Sequence, residues 1–177
     1  MQLMQTMDEL DLFFAQFVTD NLGISQDRSL IMYSQDGQPT FDINVDCCFV
    51  NTAVASDIRL QQKQRQQEYD SESDSFIVTQ QAMRTLEVKF IFYGPSSLEN
   101  AQKLSEIYHT EQARYTLAKN YLSAVYEQQN GPTQILENSS GRWYRRADLS
   151  LFFYNTIAIE ETVQRIVSAD IEAKYDM

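Results

Sequence analysis

Glycine, proline, histidine and cysteine are all scarce in this 177-residue chain, and each scarcity closes off a kind of chemistry. Five glycines leave neither a GxGxxG dinucleotide fingerprint nor a GxxxxGK[ST] phosphate cradle. The lone histidine, His109, excludes paired-histidine catalysis, and its place on a helical stretch predicts a surface or capping residue. The two cysteines are neighbours, Cys47 and Cys48. On a strand they point to opposite faces and seldom close an unstrained disulfide. With one histidine available, no zinc-ligand spacing exists either. Cys47 is therefore expected to be a small buried hydrophobe. No apolar run approaches the length of a membrane span. Met1 to Leu12 carries Asp8, Glu9 and Asp11 without any Lys or Arg, the reverse of a secretion signal's charge. A soluble protein acting or assembled inside a cell is expected.

Basic residues are few as well: 14 Lys and Arg stand against 25 Asp and Glu, a net charge of −11. Binding to a phosphate backbone needs the opposite balance, so ordinary DNA or RNA binding is not expected. The acidity serves solubility, or it keeps a surface that lies near DNA from sticking to it; composition allows both. Hydrophobic residues make up 43% and aromatics 12%, which suits one globular domain over residues 1–177 with a substantial core.

The clearest local pattern lies at the centre of the chain. Leu86, Val88, Phe90 and Phe92 alternate with Glu87, Lys89 and Ile91, the period of a strand with one buried face. Gly94-Pro95 breaks that ladder, and Ser96 or Ser97 can cap a helix whose face is Leu98, Ala101, Leu104, Ile107 and Tyr108. A second helical piece from about Gln112 to Leu122 carries Tyr115, Leu117, Ala118, Tyr121 and Leu122. Near the start, Thr6 to Leu22 reads as a helix with Met7, Leu10, Phe14 and Phe17 on one face and Gly23 as its stop. Leu30 to Tyr33 is a short strand candidate, followed by a turn at Gln35 to Pro39. A strand from about Phe41 to Thr52 places Ile43, Val45, Cys47 and Phe49 opposite Asp42, Asn44 and Asp46.

Residues 55–75 change character, with a Gln-rich run to Glu68 and an acidic, Ser-rich run from Asp70 to Ser75. So few apolar side chains cannot offset the entropy of ordering unaided. A solvated loop, a hairpin arm, and a stretch ordered against a neighbouring subunit all remain open. Ile58 and Phe76 to Val78 flank the run as strands reaching toward its tip. Later, Asn130-Gly131-Pro132 and Asn138 to Gly141 bracket an exposed connection. Two closing strands are expected, Arg145 to Asn155 and Thr162 to Tyr175. The order of elements predicts an α+β fold: a mixed, largely antiparallel sheet flanked by helices.

Few constellations carry chemistry. The acidic pairs Asp8/Glu9, Asp70/Glu72 and Glu160/Glu161 sit on polar faces or loop edges. Asp42, Asp46, Glu87 and Lys89 imitate a metal-dependent nuclease set from adjacent strands, the one enzymatic alternative. Otherwise no catalytic, cofactor or metal residue is assigned. Gly141-Arg142-Trp143-Tyr144-Arg145-Arg146 is the only concentrated basic and aromatic cluster. It is either a protein interface, or a turn whose Trp143 and Tyr144 cap the core while the arginines pair with acids.

Several of these pieces, taken in order, resemble the neck or tail terminator family of tailed bacteriophages and their prophage copies. They are Gly37-Gln38-Pro39 after a strand ending at Tyr33, Tyr93-Gly94-Pro95 leading into Asn100-Ala101, Gly141 through Leu149, and the closing region Ile157 to Ile171. Tyr33 and Phe41 stand where the family pattern has tryptophan, and the stretch Leu60 to Glu68 departs from it. The resemblance implies a structural virion protein, not an enzyme, assembled in the host cytoplasm without a cofactor or membrane. It implies a ring, typically of six subunits, at the head-proximal end of the tail. The ring would end tube growth and join the tail tube or sheath to the head–tail connector, while DNA passes unbound through its lumen. Another tail-completion or connector component is the alternative. Leu60, Gln64, Arg65 and Tyr69 on the arm, with Arg142, Trp143, Tyr144, Arg145 and Arg146, are the candidate subunit interface.

Overall fold

A computed structural model describes residues 6–32, 41–55, 63–126, 131–139 and 141–164. Helix α1 (Met7–Leu22) begins in a capping box: the Thr6 hydroxyl accepts from the Glu9 amide at 3.2 Å, and the Glu9 carboxylate accepts from the Thr6 amide at 2.9 Å. It stops where Gly23 adopts φ +71° and donates its N–H to the Thr19 carbonyl. Leu10, Phe14, Phe17 and Val18 form its buried face.

The strands are β1 (Ser29–Ile31), β2 (Cys47–Val54), β3 (Lys63–Asp70), β4 (Ser75–Tyr93), β5 (Leu122–Ala124), β6 (Thr133–Ser139) and β7 (Arg142–Gln164). They make one sheet in the order β1-β2-β4-β7-β5, with β3 added beside the outer half of β4 and β6 beside the first part of β7. Among the described strands β1 and β2 run parallel and the other pairs antiparallel, so the expected α+β class holds. The long strands β4 and β7 pair from Ser75 with Gln164 to Tyr93 with Arg146. At about 3.3 Å per residue their ladder spans roughly 60 Å.

Helices α1, α2 (Ser97–Ile107) and α3 (Glu111–Lys119) bury one face of this sheet. Leu86, Val88, Phe90 and Phe92 meet Ala147, Leu149, Leu151 and Phe153 across the β4–β7 ladder, and the helices cover both rows. The alternation expected for residues 86–92 is the one observed. A smaller cluster on the reverse face holds Cys47, Phe49, Ile91 and Tyr93. Cys47 and Cys48 thus point to opposite clusters, both buried as free thiols. Burial pushes Cys47 up to about 11 and Cys48 well above the ordinary thiol range, so both stay protonated as packing groups.

Several boundaries differ from the sequence reading. Residues 41–46 form a turn before β2 instead of its first half, so Asp42, Asn44 and Asp46 line no strand face. Helix α3 ends at Lys119, Tyr121 takes φ +56°, and Leu122 opens β5. Its buried face is Ala113 and Leu117, while Tyr115 lies exposed with the Lys119 ammonium 4.3 Å above its ring. The connection after Pro132 is strand β6, and the first closing strand continues unbroken as β7 to Gln164. Residues 165–177, the Gly37-Gln38-Pro39 turn, Tyr33, Ile58 and Leu60 lie outside the described residues.

Asp11 ties α1 to the sheet. Past the residues of β2 that pair with β1, the Asp11 carboxylate accepts from the Thr52 amide at 2.7 Å. Burial raises the Asp11 pKa against the opposing pull of Thr52, and neighbouring Asp8 adds to the rise. A folded pKa above the unfolded value favours the native state fully below the unfolded pKa, and the benefit is lost as pH rises through the folded value. Asp11→Asn keeps an acceptor oxygen and removes that titration. The unfolding free energy of the wild type relative to this variant should therefore rise as pH falls from neutral into the carboxylate range. Parallel stability–pH curves for the two proteins would contradict this.

Candidate assembly surfaces

Gly94 is the joint that sets the geometry of the sheet's end. It takes φ +109°, and a Cβ there would lie 2.4 Å from Asp46 Oδ1 and 2.6 Å from Asp46 Cα. The missing side chain lets the chain entering β2 pass close enough for Asp46 to cap α2: its Oδ1 accepts from the Ser96 amide at 2.9 Å. The cap thus comes from 50 residues upstream; of the two serines that could cap, Ser96 stands at the cap position without a side-chain bond and Ser97 is the first helical residue. At the other end of α2, Tyr108 is fully buried. Its hydroxyl donates to the Phe152 carbonyl at 2.5 Å and accepts from the Val125 amide at 2.8 Å, locking the helix pair onto β7.

Residues 63–75, for which three states stood open, form one strand and the turn of a hairpin with β4. The acidic, Ser-rich run is that turn. Asp70 accepts from the Glu72 amide and the Ser73 hydroxyl, the Ser73 bond being the main reason its pKa is held low, and Asp74 takes φ +47°. Beyond the helices, β3, β4 and β7 continue as a three-stranded arm. Register places Tyr69, Phe76 and Val163 in one row across it, and Gln67, Val78 and Glu161 in the next but one. Rows of this kind alternate faces, and these belong to the face the helices cover further along. Gln64 and Arg65 are exposed on opposite faces of β3. The Tyr69 hydroxyl donates to Asp74 at 2.6 Å, and its ring stands 5.3 Å from that of Phe76.

The basic and aromatic cluster lies at the far end of β7, where its partner is β6. Alternation divides it. Arg146 and Tyr144 point to the reverse face, and Arg146 makes a two-point bond to Asp148 at 2.6 and 2.7 Å with a third contact to Glu137 at 3.3 Å. Glu137 also accepts from the Tyr93 hydroxyl at 2.8 Å; burial first, then this bond, push Tyr93 up to about 12. Arg146 is therefore a pinned structural cation. Trp143 and Arg145 face the other way and are exposed, Trp143 by 69%, so Trp143 does not cap the core. Beside them on β6 stands Leu136, 66% exposed, which the sequence reading left in a loop. Of Arg142 only the backbone is described.

The nuclease-like set does not converge. Asp46 caps α2, Asp42 accepts from the Asn44 amide, and Glu87 pairs with Lys89 at 3.7 Å. Among the described residues no group of three or more His, Cys, Asp or Glu could hold a metal ion. His109, just after α2, stacks on Tyr126 with ring centroids 5.1 Å apart. No helix among the described residues is long and apolar enough to cross a membrane.

An open sheet with helices on one face, and with aromatic and apolar side chains displayed at its ends, defines an α+β scaffold. Over residues 8–176 the chain matches the family model described as phage neck terminator protein, and it belongs to that family. No curated protein matches it. It is thus a structural component of the phage neck, placed in the virion and in contact with other head or tail proteins.

Proposed function

We propose that the protein is a single domain that assembles into a ring, of six subunits, at the head-proximal end of the tail. There it ends growth of the tube and joins the tube or sheath to the head–tail connector, with the work done by fit between surfaces and no bond made or broken. The observation that carries this reading is the family match along nearly the whole chain.

Two physical features support it. A closed ring needs two different complementary surfaces on each subunit, and the arm, with Gln64, Arg65 and Tyr69, lies far along the sheet from Trp143, Tyr144 and Arg145. A net charge of −11 on each subunit, repeated around a ring, gives a lumen that repels phosphate, so DNA slides through without being held. Native mass spectrometry of the purified chain should show one closed oligomer, six-fold in mass, growing with concentration. In parallel, incubation with DNA and Mg²⁺ or Mn²⁺ should leave the DNA intact. A chain that stays monomeric at every concentration and cleaves DNA would overturn the proposal.

A further inference from the structure

Beside α3 the outer edge of β5 is open. The Tyr121 carbonyl accepts from the Thr156 amide and the Val125 amide donates to the Phe152 carbonyl, so the peptide groups of Leu122 and Ala124 point away from β7. Among the described residues no strand takes them up. Between this edge and α3 runs a groove of about 390 Å³, walled by Tyr115 and Ala118 on α3, Leu122 and Ala124 on β5, and Tyr126. No residue of β7 lines it, which places it on the outer side of β5. Tyr115 and Tyr126 are exposed, yet both are held: the Lys119 ammonium lies over the Tyr115 ring, and Tyr126 stacks on His109. An open strand edge beside rigid tyrosine walls suits capture of an extended segment. The backbone supplies affinity and the walls choose the side chains.

A strand laid there would have one face against α3 and the other in water, so its residues must alternate apolar and polar. The sequence that follows β7 has that pattern: Val167, Ala169, Ile171, Ala173 and Tyr175 alternate with Ser168, Asp170, Glu172, Lys174 and Asp176. The family match runs through it to residue 176. Gln164 pairs with Ser75 at the tip of the arm, nine residues past Asn155, the partner of Leu122. At strand rise that is about 30 Å from the groove of the same chain. A return would need a reversal at the tip, and Arg165-Ile166-Val167-Ser168 holds none of the Gly, Pro, Asn or Asp residues that favour turns. Running onward, residues 165–177 can span about 40 Å, enough to reach a second copy. Two other edges are poorer hosts. The groove between α1 and β1 offers one exposed large apolar side chain, Leu12, against two tyrosines here. Beside β6, Leu136 and Trp143 are themselves uncovered, so the apolar side of an added strand would stay open to water.

We infer that residues 167–175 of one copy add as a strand to the β5 edge of the next copy, with their apolar side seated in the Tyr115–Tyr126 groove. This contact rests on the ring reading above and supplies it with one donated segment and one receiving surface. Because segment and groove are different parts of the chain, each copy gives one strand and takes one. That is a heterologous contact, which closes into a ring when the rotation between copies allows.

The test pairs cysteines across the contact in the full chain under mild oxidation. A chain with Ala118→Cys is mixed with an equal amount of a chain carrying Val167→Cys, Ala169→Cys, Ile171→Cys or Ala173→Cys in turn. At least one mixture should yield two chains joined by a disulfide, whereas Ser168→Cys, Asp170→Cys and Glu172→Cys should yield none, because their side chains point away from α3. Native Cys47 and Cys48 are buried and do not compete. Tyr115→Ser should weaken self-association at least about tenfold by sedimentation velocity. Its thermal unfolding should stay near that of the wild type, since the ring is 61% exposed in the single chain. Equal yields from odd and even positions would overturn the strand. A bond that closes only when Ala118→Cys and Ile171→Cys share one chain would show the segment returning to its own groove and would overturn the exchange between copies. If the wild type forms rings that neither cross-link here nor respond to Tyr115→Ser, the contact is wrong and the ring reading stands. If the wild type stays monomeric at every concentration, both fall.

Discussion

Gly94→Ala is expected to lower the unfolding free energy by about 3–5 kcal/mol, seen as a fall in the denaturation midpoint with little change in slope. Two costs combine. A side chain at φ +109° occupies backbone space that L-residues avoid, a strain of about 1–3 kcal/mol. The new Cβ also lands 2.6 Å from Asp46 Cα and 2.7 Å from Asp46 N, which are backbone atoms and cannot swing aside. Relief requires β2 to move away from β4, and overpacking of that kind costs about 1–3 kcal/mol. The movement would also pull Asp46 from the Ser96 amide, so the first turn of α2 should lose hydrogen-exchange protection before the strands do. A loss below about 1 kcal/mol would show that the joint has more room than its geometry indicates.

Phe14→Ala should cost a similar amount, about 3–5 kcal/mol, by a different route. Phe14 is fully buried at the point where α1 meets the sheet. Its ring stands 4.7 Å from that of Phe153 and 6.2 Å from that of Phe90, side chains of two adjacent strands, and 5.1 Å from Phe13. Removing it leaves a cavity that three neighbouring aromatics cannot fill without leaving their rotamers. Because α1 also holds Asp11 against the β2 edge and accepts the Ser29 hydroxyl through the Ala15 carbonyl at 2.6 Å, a loosened helix should release β1 as well. Chemical denaturation with matched near- and far-ultraviolet circular dichroism would check this. An unchanged midpoint would contradict the view that α1 is clamped by this aromatic cluster.

Much of the core was legible because it rests on local periodicity. Leu86 to Phe92 declares its buried face by alternation, and Met7, Leu10, Phe14 and Phe17 declare the face of α1 with Gly23 as its stop. Gly94 was legible as a break but not as a close approach, since the obstructing atoms belong to Asp46, in the turn before β2 and far away in sequence. The same distance in sequence hid the true cap of α2. Strand β6 escaped because Ile135 and Leu136 are adjacent and blur the period, and its place is set by β7 beside it. The continuity of β7 escaped for a like reason: Glu160 to Gln164 is mostly polar and is held by the ladder with Ser75 to Thr79, not by burial. Of the assembly surfaces, Trp143 and Arg145 stood out by composition, but only the register separated them from Arg146, whose fork is held by Asp148. Leu136 and Ile159 gave no signal of their own until the strands placed them on the same face as Trp143 and Glu161.

The account turns on this chain working as one member of a closed ring at the junction of head and tail. Electron cryo-microscopy of intact particles, with the subunit built into the density of the neck, tests that most directly. The expected result is six copies around a DNA-filled channel at the head-proximal end of the tail, each in contact with the next. Particles whose neck lacks this subunit, or holds it as isolated copies that do not touch, would contradict it.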